Sequence, residues 1–219
     1  MNKKNGPTIG HNKKSLLKSE VEHIDITSFD SRKIIESMKK MSFTSIDTAN
    51  AAGIYNDMIK DKNCSIFLTI AGSTSAAGCM KLYSDLVKYN MVDAIVATGA
   101  SIIDMDFFEA LGFKHYQGSQ FQDDKVLREN YIDRIYDTYI DEEQLQACDK
   151  TICEIANKLT PKTYTSREFI KEIGKYLKKN SKKKGSLIEV AYDQCTNILS
   201  SLYRQFCRLW LSNASRTKP

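Results

Sequence analysis

Two short apolar runs, each ending in a glycine turn and each followed by a helical pattern, dominate the hydrophobic periodicity of the chain. The first is Ile66-Phe-Leu-Thr-Ile-Ala-Gly72, with a helix predicted over residues 75–90. The second is Val92-Asp-Ala-Ile-Val-Ala-Thr-Gly99, with a helix predicted over residues 104–111. Near-continuous apolar strands alternating with amphipathic helices predict a parallel sheet covered on both faces. On the first helix Met80, Tyr83, Leu86 and Val87 make an apolar stripe, and Asn90 is a suitable stop. The second ends at Glu109-Ala-Leu-Gly112, with glycine at the left-handed position. Ligands of parallel α/β sheets sit beyond the carboxyl ends of the strands, where Gly72-Ser-Thr-Ser-Ala76 and Thr98-Gly-Ala100 fall.

The rest of the pattern is mixed. Helices are predicted over 31–41 and over 47–61, the latter with Ala51, Ala52, Tyr55, Met58 and Ile59 on one side. His115-Tyr-Gln-Gly118 reads as a loop, 124–129 as a short helix, and 132–140 as one strand alternating at Ile132, Arg134, Tyr136 and Thr138. The clearest helix is 141–159: acids lead it, Leu145, Cys148, Ile152, Ile155, Ala156 and Leu159 recur at helical spacing, and Pro161 stops it. Another helix spans 166–179, with Ser166 as its N-cap, and 186–191 reads as a strand. No internal repeat is visible.

Composition narrows the function classes. A chain of 219 residues can bury one α/β core, and the net charge of +5 is modest. Residues 1–19 are polar and basic and read as a disordered lead, neither a secretory signal nor a membrane anchor. Lys178-Lys-Asn-Ser-Lys-Lys-Lys184 ends a helix and reads as a solvated loop, with no nucleic-acid motif beside it. The six cysteines show neither metal spacing nor a secreted framework, so a reducing, cytoplasmic setting is expected. His23 and His115 have no partners at ligand spacing and read as ordinary loop histidines. No metal site, nucleophile elbow or Walker loop is expected.

Several separated motifs, in order, say more. Phe67-Leu-Thr-Ile-Ala-Gly72, Asn90-Met-Val-Asp-Ala-Ile-Val-Ala-Thr-Gly-Ala100, Phe108-Glu-Ala-Leu-Gly112 and Leu127-Arg-Glu-Asn-Tyr-Ile-Asp-Arg-Ile135 closely resemble the deoxyhypusine synthase family, in the flavour of its bacterial branch. Glu22-His-Ile-Asp-Ile26 and Tyr164-Thr-Ser-Arg-Glu-Phe169 extend the likeness over roughly residues 20–194. The resemblance implies the amino-terminal part of a Rossmann-like, doubly wound α/β fold with a mostly parallel sheet and flanking helices. It also implies NAD-dependent oxidation of spermidine, loss of 1,3-diaminopropane, and transfer of a 4-aminobutyl group through a lysine Schiff base. The acceptor is a lysine of translation initiation factor 5A, or putrescine in the bacterial-like branch. By the same likeness Gly72, Ser73, Thr74, Ser75 and Ala76 form the first cofactor loop and Thr98, Gly99 and Ala100 the second. Asp104 aligns with an acid that contacts both NAD and the polyamine, although the acid preceding it in some relatives is Ile103 here. As a local feature Asp104 is equally suited to the first turn of its predicted helix. Arg128, Glu129 and Arg134 read as scaffold or intersubunit residues. The intact family is a tetramer, so a homo-oligomer is implied.

Beyond Gln194 the likeness is expected to stop. Codons permitted for Cys195-Thr-Asn-Ile-Leu-Ser-Ser-Leu-Tyr-Arg-Gln-Phe-Cys-Arg-Leu-Trp-Leu211, read one base later, spell the family stretch Val-Pro-Ile-Phe-Cys-Pro-Ala-Phe-Thr-Asp-Ser-Ser-Ala-Gly-Phe-Gly. Residues 195–219 are therefore expected to be an out-of-frame, unstructured tail. The family's later aspartate, histidine and Schiff-base lysine have no counterpart here, so no catalytic residue is assigned and the chain alone is expected to be inactive. The alternative is a non-catalytic truncated paralogue that pairs with a full-length subunit.

Overall fold

A computed structural model describes residues 12–200 of the protein. From its amino end the chain runs through α1 (Lys13–Leu16), β1 (Ser19–Glu20), α2 (Arg32–Met38) and α3 (Thr44–Lys60). Next come β2 (Phe67–Ile70), a wide π-type turn (Ser75–Cys79), α4 (Met80–Lys88), β3 (Ala94–Ala97), a π-helical segment (Ala100–Phe107) and α5 (Phe108–Ala110). They are followed by β4 (His115–Gln117), α6 (Asp124–Glu129), β5 (Ile132–Ile135) and β6 (Thr138–Asp141). The described chain closes with α7 (Glu142–Asn157), α8 (Ser166–Asn180), α9 (Leu187–Asp193) and β7 (Asn197–Ser200).

The two apolar runs form β2 and β3, paired in parallel with Phe67 opposite Ala94 and Ile70 opposite Ala97. β7 pairs in parallel on the other side of β3, with Ser200 opposite Ala97. Alternation sends Leu68, Ile70, Ile95, Ala97 and Ile198 to one face. There they join the main core with Phe107, Phe108, Ile173, Leu177, Leu187 and Ile188. Each of the Leu, Ile and Phe side chains, once buried, contributes about 1.5–3 kcal/mol. The opposite face carries Phe67, Thr69, Val96 and Leu199, all exposed. Coverage of both faces, as expected of parallel strands, is not what the described residues provide.

The expectation of one mostly parallel sheet needs a second correction. Four strands build a separate antiparallel sheet in the order β1-β4-β6-β5. The run expected to be one strand breaks at Tyr136, whose φ of 55° turns the chain so that Ile135 pairs with Thr138. The expected loop at 115–118 is β4, drawn into a ladder in which Tyr116 pairs with Tyr139. The expected strand at 186–191 is instead α9, capped by Ser186 and buried at Leu187, Ile188 and Ala191. A short apolar run does not discriminate strand from buried helix by periodicity. The cap of α8 is Thr165, not Ser166, and it forms a reciprocal box with Glu168.

Both expected boundaries also shift. Residues 12–19 are placed rather than disordered, because Lys13 Nζ bonds Asp141 Oδ1 at 2.7 Å and Glu143 Oε2 at 2.6 Å. The remainder of the expected lead, residues 1–11, lies outside the described residues. Likewise β7 takes Asn197–Ser200 into the parallel sheet, past Gln194, while residues 201–219 lie outside the described residues.

A strap before α2 crosses the core. Val21 N donates to His115 O, and Ile24 N donates to Gly78 O, each at 2.9 Å. Gly78 has φ 101°, and a Cβ there would sit 2.8 Å from Glu22 O. Under the strap lies Glu109, 6% exposed. His23 Nδ1 accepts from Met80 N at 3.3 Å, so its Nε2 is the donor to Glu109 Oε2 at 2.6 Å. His115 Nδ1 reaches Glu109 Oε1 at 2.8 Å, and Lys183 Nζ donates to Oε2 at 2.5 Å. Burial pushes the Glu109 carboxyl up, but hydrogen bonds from His115, His23 and Lys183 outweigh it and hold the group well below the ordinary range.

Because Glu109 stays ionised in the folded protein to a lower pH than in the unfolded chain, its contribution is present above the unfolded value of 4.5 and is lost as pH falls. Glu109→Gln is expected to cost about 3 kcal/mol at pH 7, since it breaks a buried charged group's pairing. The gap from the unsubstituted protein should narrow below pH 4.5, as read by urea unfolding across a pH series.

Candidate functional site

The three parallel strands end at one level, and the two glycine loops leave from it. Gly72 follows β2 with φ 70°, a left-handed conformation that costs an L-residue about 1–2 kcal/mol. Nothing lies within 4 Å of where its Cβ would stand, so open space adjoins the turn. Thr98 N donates to Ile70 O at 3.2 Å, which fixes the second loop against the end of β2. Ser101 Oγ donates to Gly72 O at 3.0 Å, and it also lies 3.0 Å from Thr98 Oγ1. With its one proton spent on Gly72, Ser101 must accept from the Thr98 hydroxyl. The structure thus brings Gly72 and Thr98 together through a residue the sequence reading passed over.

Two hydroxyls at this edge are buried without a hydrogen-bond partner among the described residues: Ser75 Oγ and Ser200 Oγ. Buried polar atoms are nearly always paired, so each has bonding capacity left for another group. Thr74 Oγ1 is occupied, accepting from Tyr83 OH at 2.8 Å. Gly99 and Ala76 are buried beneath the loops, whereas Ser73 and Ala100 are half-buried at the rim. Each loop leads into π-type backbone, a geometry that recurs at functional sites, and neither segment shows in the hydrophobic period.

Asp104 lies half-buried in the second of these segments, one turn beyond Gly99. The helix expected to begin there in fact starts four residues earlier, so Asp104 is interior to it and is no first-turn acid. It faces α7 closely enough that burial, then the charges of Asp104 and Asp149, push the Cys148 thiol well up. The thiol donates to Ile103 O at 3.6 Å. Sequence reasoning missed Asp106, which is fully buried and accepts from Leu187 N at 2.7 Å and Ile188 N at 2.9 Å. Burial pushes its carboxyl up to about 7 against those two donors. The signal was available, since Asp104, Asp106 and Glu109 are the acids of an otherwise apolar stretch.

Arg134 behaves as scaffold. Its guanidinium bonds Asp124 Oδ1 at 2.8 Å, Gln120 O at 2.9 Å and Tyr136 O at 3.2 Å, tying the β5–β6 turn to α6. A shallow concavity of about 570 Å³ beside it is lined by Arg128, Tyr131, Asp133 and Glu142. Burial and the neighbouring Glu142 push Asp133 up to about 6. Among the described residues no group of His, Cys, Asp and Glu is placed to hold a metal ion, and no helix is long and apolar enough to cross a membrane.

Comparison with known proteins bears on this architecture. The family model described as deoxyhypusine synthase matches residues 33–202. A deoxyhypusine synthase-like protein of Caulobacter vibrioides is 64% identical over 191 residues, covering 87% of this chain and 52% of that protein. One from Coxiella burnetii is 66% identical over 182 residues, covering 83% and 52%. The chain therefore spans about half the length of the curated relatives it matches. A crystal structure of an Entamoeba histolytica protein assigned as a deoxyhypusine synthase superposes with a TM-score of 0.55 at 17% identity, covering 82% of this chain and 61% of the other. That likeness concerns the fold. With its β2 and β3 loops inside the matched region, the chain belongs to the deoxyhypusine synthase family.

Proposed function

We propose that this chain carries part of an NAD-dependent aminobutyl-transfer site, built at the shared carboxyl edge of β2, β3 and β7. The observation that carries the reading is the pair of glycine loops locked together by Ser101, beside two buried hydroxyls with unused bonding capacity. The residues present fit a dinucleotide. Gly72 lets the backbone approach closely, the amides and hydroxyls of Ser73, Thr74, Ser75 and Ala76 suit phosphate or ribose oxygens, and Thr98, Gly99 and Ala100 line the neighbouring end. When bound, NAD would supply the hydride acceptor. Asp104 would hold a polyamine ammonium by a charge-assisted hydrogen bond, which gives spermidine as the donor substrate. The acceptor is then a lysine of translation initiation factor 5A or putrescine.

The same reading extends the parallel sheet into a Rossmann-like, doubly wound domain in a cytoplasmic homo-oligomer, a tetramer as in the intact family. None of the lysines up to Gln194 stands in the family's Schiff-base motif, so this stretch does not itself supply the covalent carrier. A second reading is a non-catalytic paralogue that pairs with a longer relative. What favours it is the unpaired outer edges of β2 and β7, which among the described residues have no further strand beside them and can template pairing.

Isothermal calorimetry should detect NAD binding to the purified chain. Gly72→Ala should weaken it about tenfold, roughly 1.4 kcal/mol, because a Cβ would stand in the open space beside the turn that the dinucleotide needs. Equal affinity in both proteins would remove the first loop from the site. In a separate assay, spermidine with NAD should give neither NADH absorbance nor 1,3-diaminopropane. Turnover by the isolated chain would overturn the reading that residues up to Gln194 supply no covalent carrier.

A further inference from the structure

We propose that His23 is a positioning residue for the first glycine loop, holding through Met80 N the wide turn that carries Ser75. The proposal rests on the reading of this loop as a dinucleotide site. The motif Glu22-His-Ile-Asp-Ile26 lies far from both loops in sequence, yet the strap it forms meets the first of them. Ala77 N donates to Ser73 O and Cys79 N to Thr74 O, each at 3.1 Å, and the second bond closes the π-type turn. Gly78 then leaves helical geometry at φ 101°. A left-handed residue there interrupts the helical ladder, and buried backbone groups must be paired elsewhere. The strap pairs two of them. Ile24 N donates to Gly78 O at 2.9 Å, and Met80 N donates to His23 Nδ1 at 3.3 Å. The kink is thereby gripped at Gly78 and just beyond it. Ser75 sits inside the same turn, 1% exposed, with its Oγ unpartnered among the described residues. The turn sets where that hydroxyl stands, and the strap sets the turn.

His23 can do this in one tautomer only. Accepting at Nδ1 requires the proton on Nε2, and Glu109 Oε2, 2.6 Å away, is the acceptor that keeps it there. Glu109 is in turn held by His115 and Lys183. The imidazole is only 10% exposed, so these bonds rather than solvent fix its orientation. The buried carboxylate therefore acts on the loop through His23, and His23 acts on a ligand through the turn.

Calorimetry of NAD binding, amide hydrogen exchange over residues 72–80 and urea unfolding together test this. His23→Leu, with neither donor nor acceptor, should weaken NAD binding about tenfold, as loss of one net hydrogen bond predicts, and speed exchange over the loop. His23→Gln should restore both, because a side-chain amide offers one acceptor and one donor, as the neutral imidazole does. Ile24→Pro, at an exposed position, removes the donor to Gly78 O and should repeat the loss; it serves if His23→Leu fails to fold. Lys183→Met takes a different donor from Glu109 without touching Gly78 or Met80, so it should lower the unfolding midpoint and leave NAD affinity unchanged. Unchanged affinity in folded His23→Leu or Ile24→Pro would overturn the proposal and leave the cofactor reading intact. An equal loss in Lys183→Met would also overturn it, since the effect would then be a general softening of the strap. No NAD binding by the unsubstituted chain would strike the cofactor reading instead, and exchange would then decide the clamp. Faster exchange over 72–80 in His23→Leu, rescued by His23→Gln, upholds it; exchange unchanged in the folded variants overturns it.

Discussion

The register between β2 and β3 is the constraint on which the candidate site rests. Because Ile70 stands opposite Ala97, the backbone turns at Gly72 and Thr98 leave the sheet at one height. One serine hydroxyl can then span both loops, accepting from Thr98 and donating to Gly72. A slip of one residue would invert every side chain on β2 and separate the loops by a strand residue's rise, about 3.3 Å. Hydrophobic burial of Leu68, Ile70, Ile95 and Ala97 against the helices excludes that slip, so core packing and site geometry are the same fact seen from two ends.

Buried acids organise what surrounds the site. Asp106 holds the first two amides of α9 and thereby sets where α9, and β7 after it, can lie. Glu109, three residues on, gathers His23 and Lys183 from distant parts of the chain together with the nearby His115, and pins the strap across Gly78. A buried carboxylate is tolerable only when several donors surround it, and here two of the three come from segments more than seventy residues away in sequence. The antiparallel sheet joins this arrangement through His115, whose backbone carbonyl receives Val21.

How much was legible depends on the length and contrast of each pattern. β2, β3, α7 and the stripe on α4 follow from period alone, and the family follows from motifs that surround the two loops. The turn at Tyr136 was illegible because alternation continues through it, and neither Tyr136 nor Asp137 announces a left-handed turn. α9 was misread because six residues that are nearly all buried do not distinguish a period of 2 from one of 3.6. His23, His115 and Lys183 looked ordinary because each is unremarkable beside its own neighbours, and only folding sets them around Glu109.

The order of residues alone therefore determined the parallel β–loop–β unit, the helices with strong stripes and the family. These rest on local period and local motif, which act over a few residues. Tertiary structure alone decided that the strands divide into two sheets, that Ser101 couples the two loops, and that one face of the parallel sheet stays open among the described residues. Those outcomes depend on contacts between positions tens of residues apart, and the energy of such contacts appears only once the chain has brought them together.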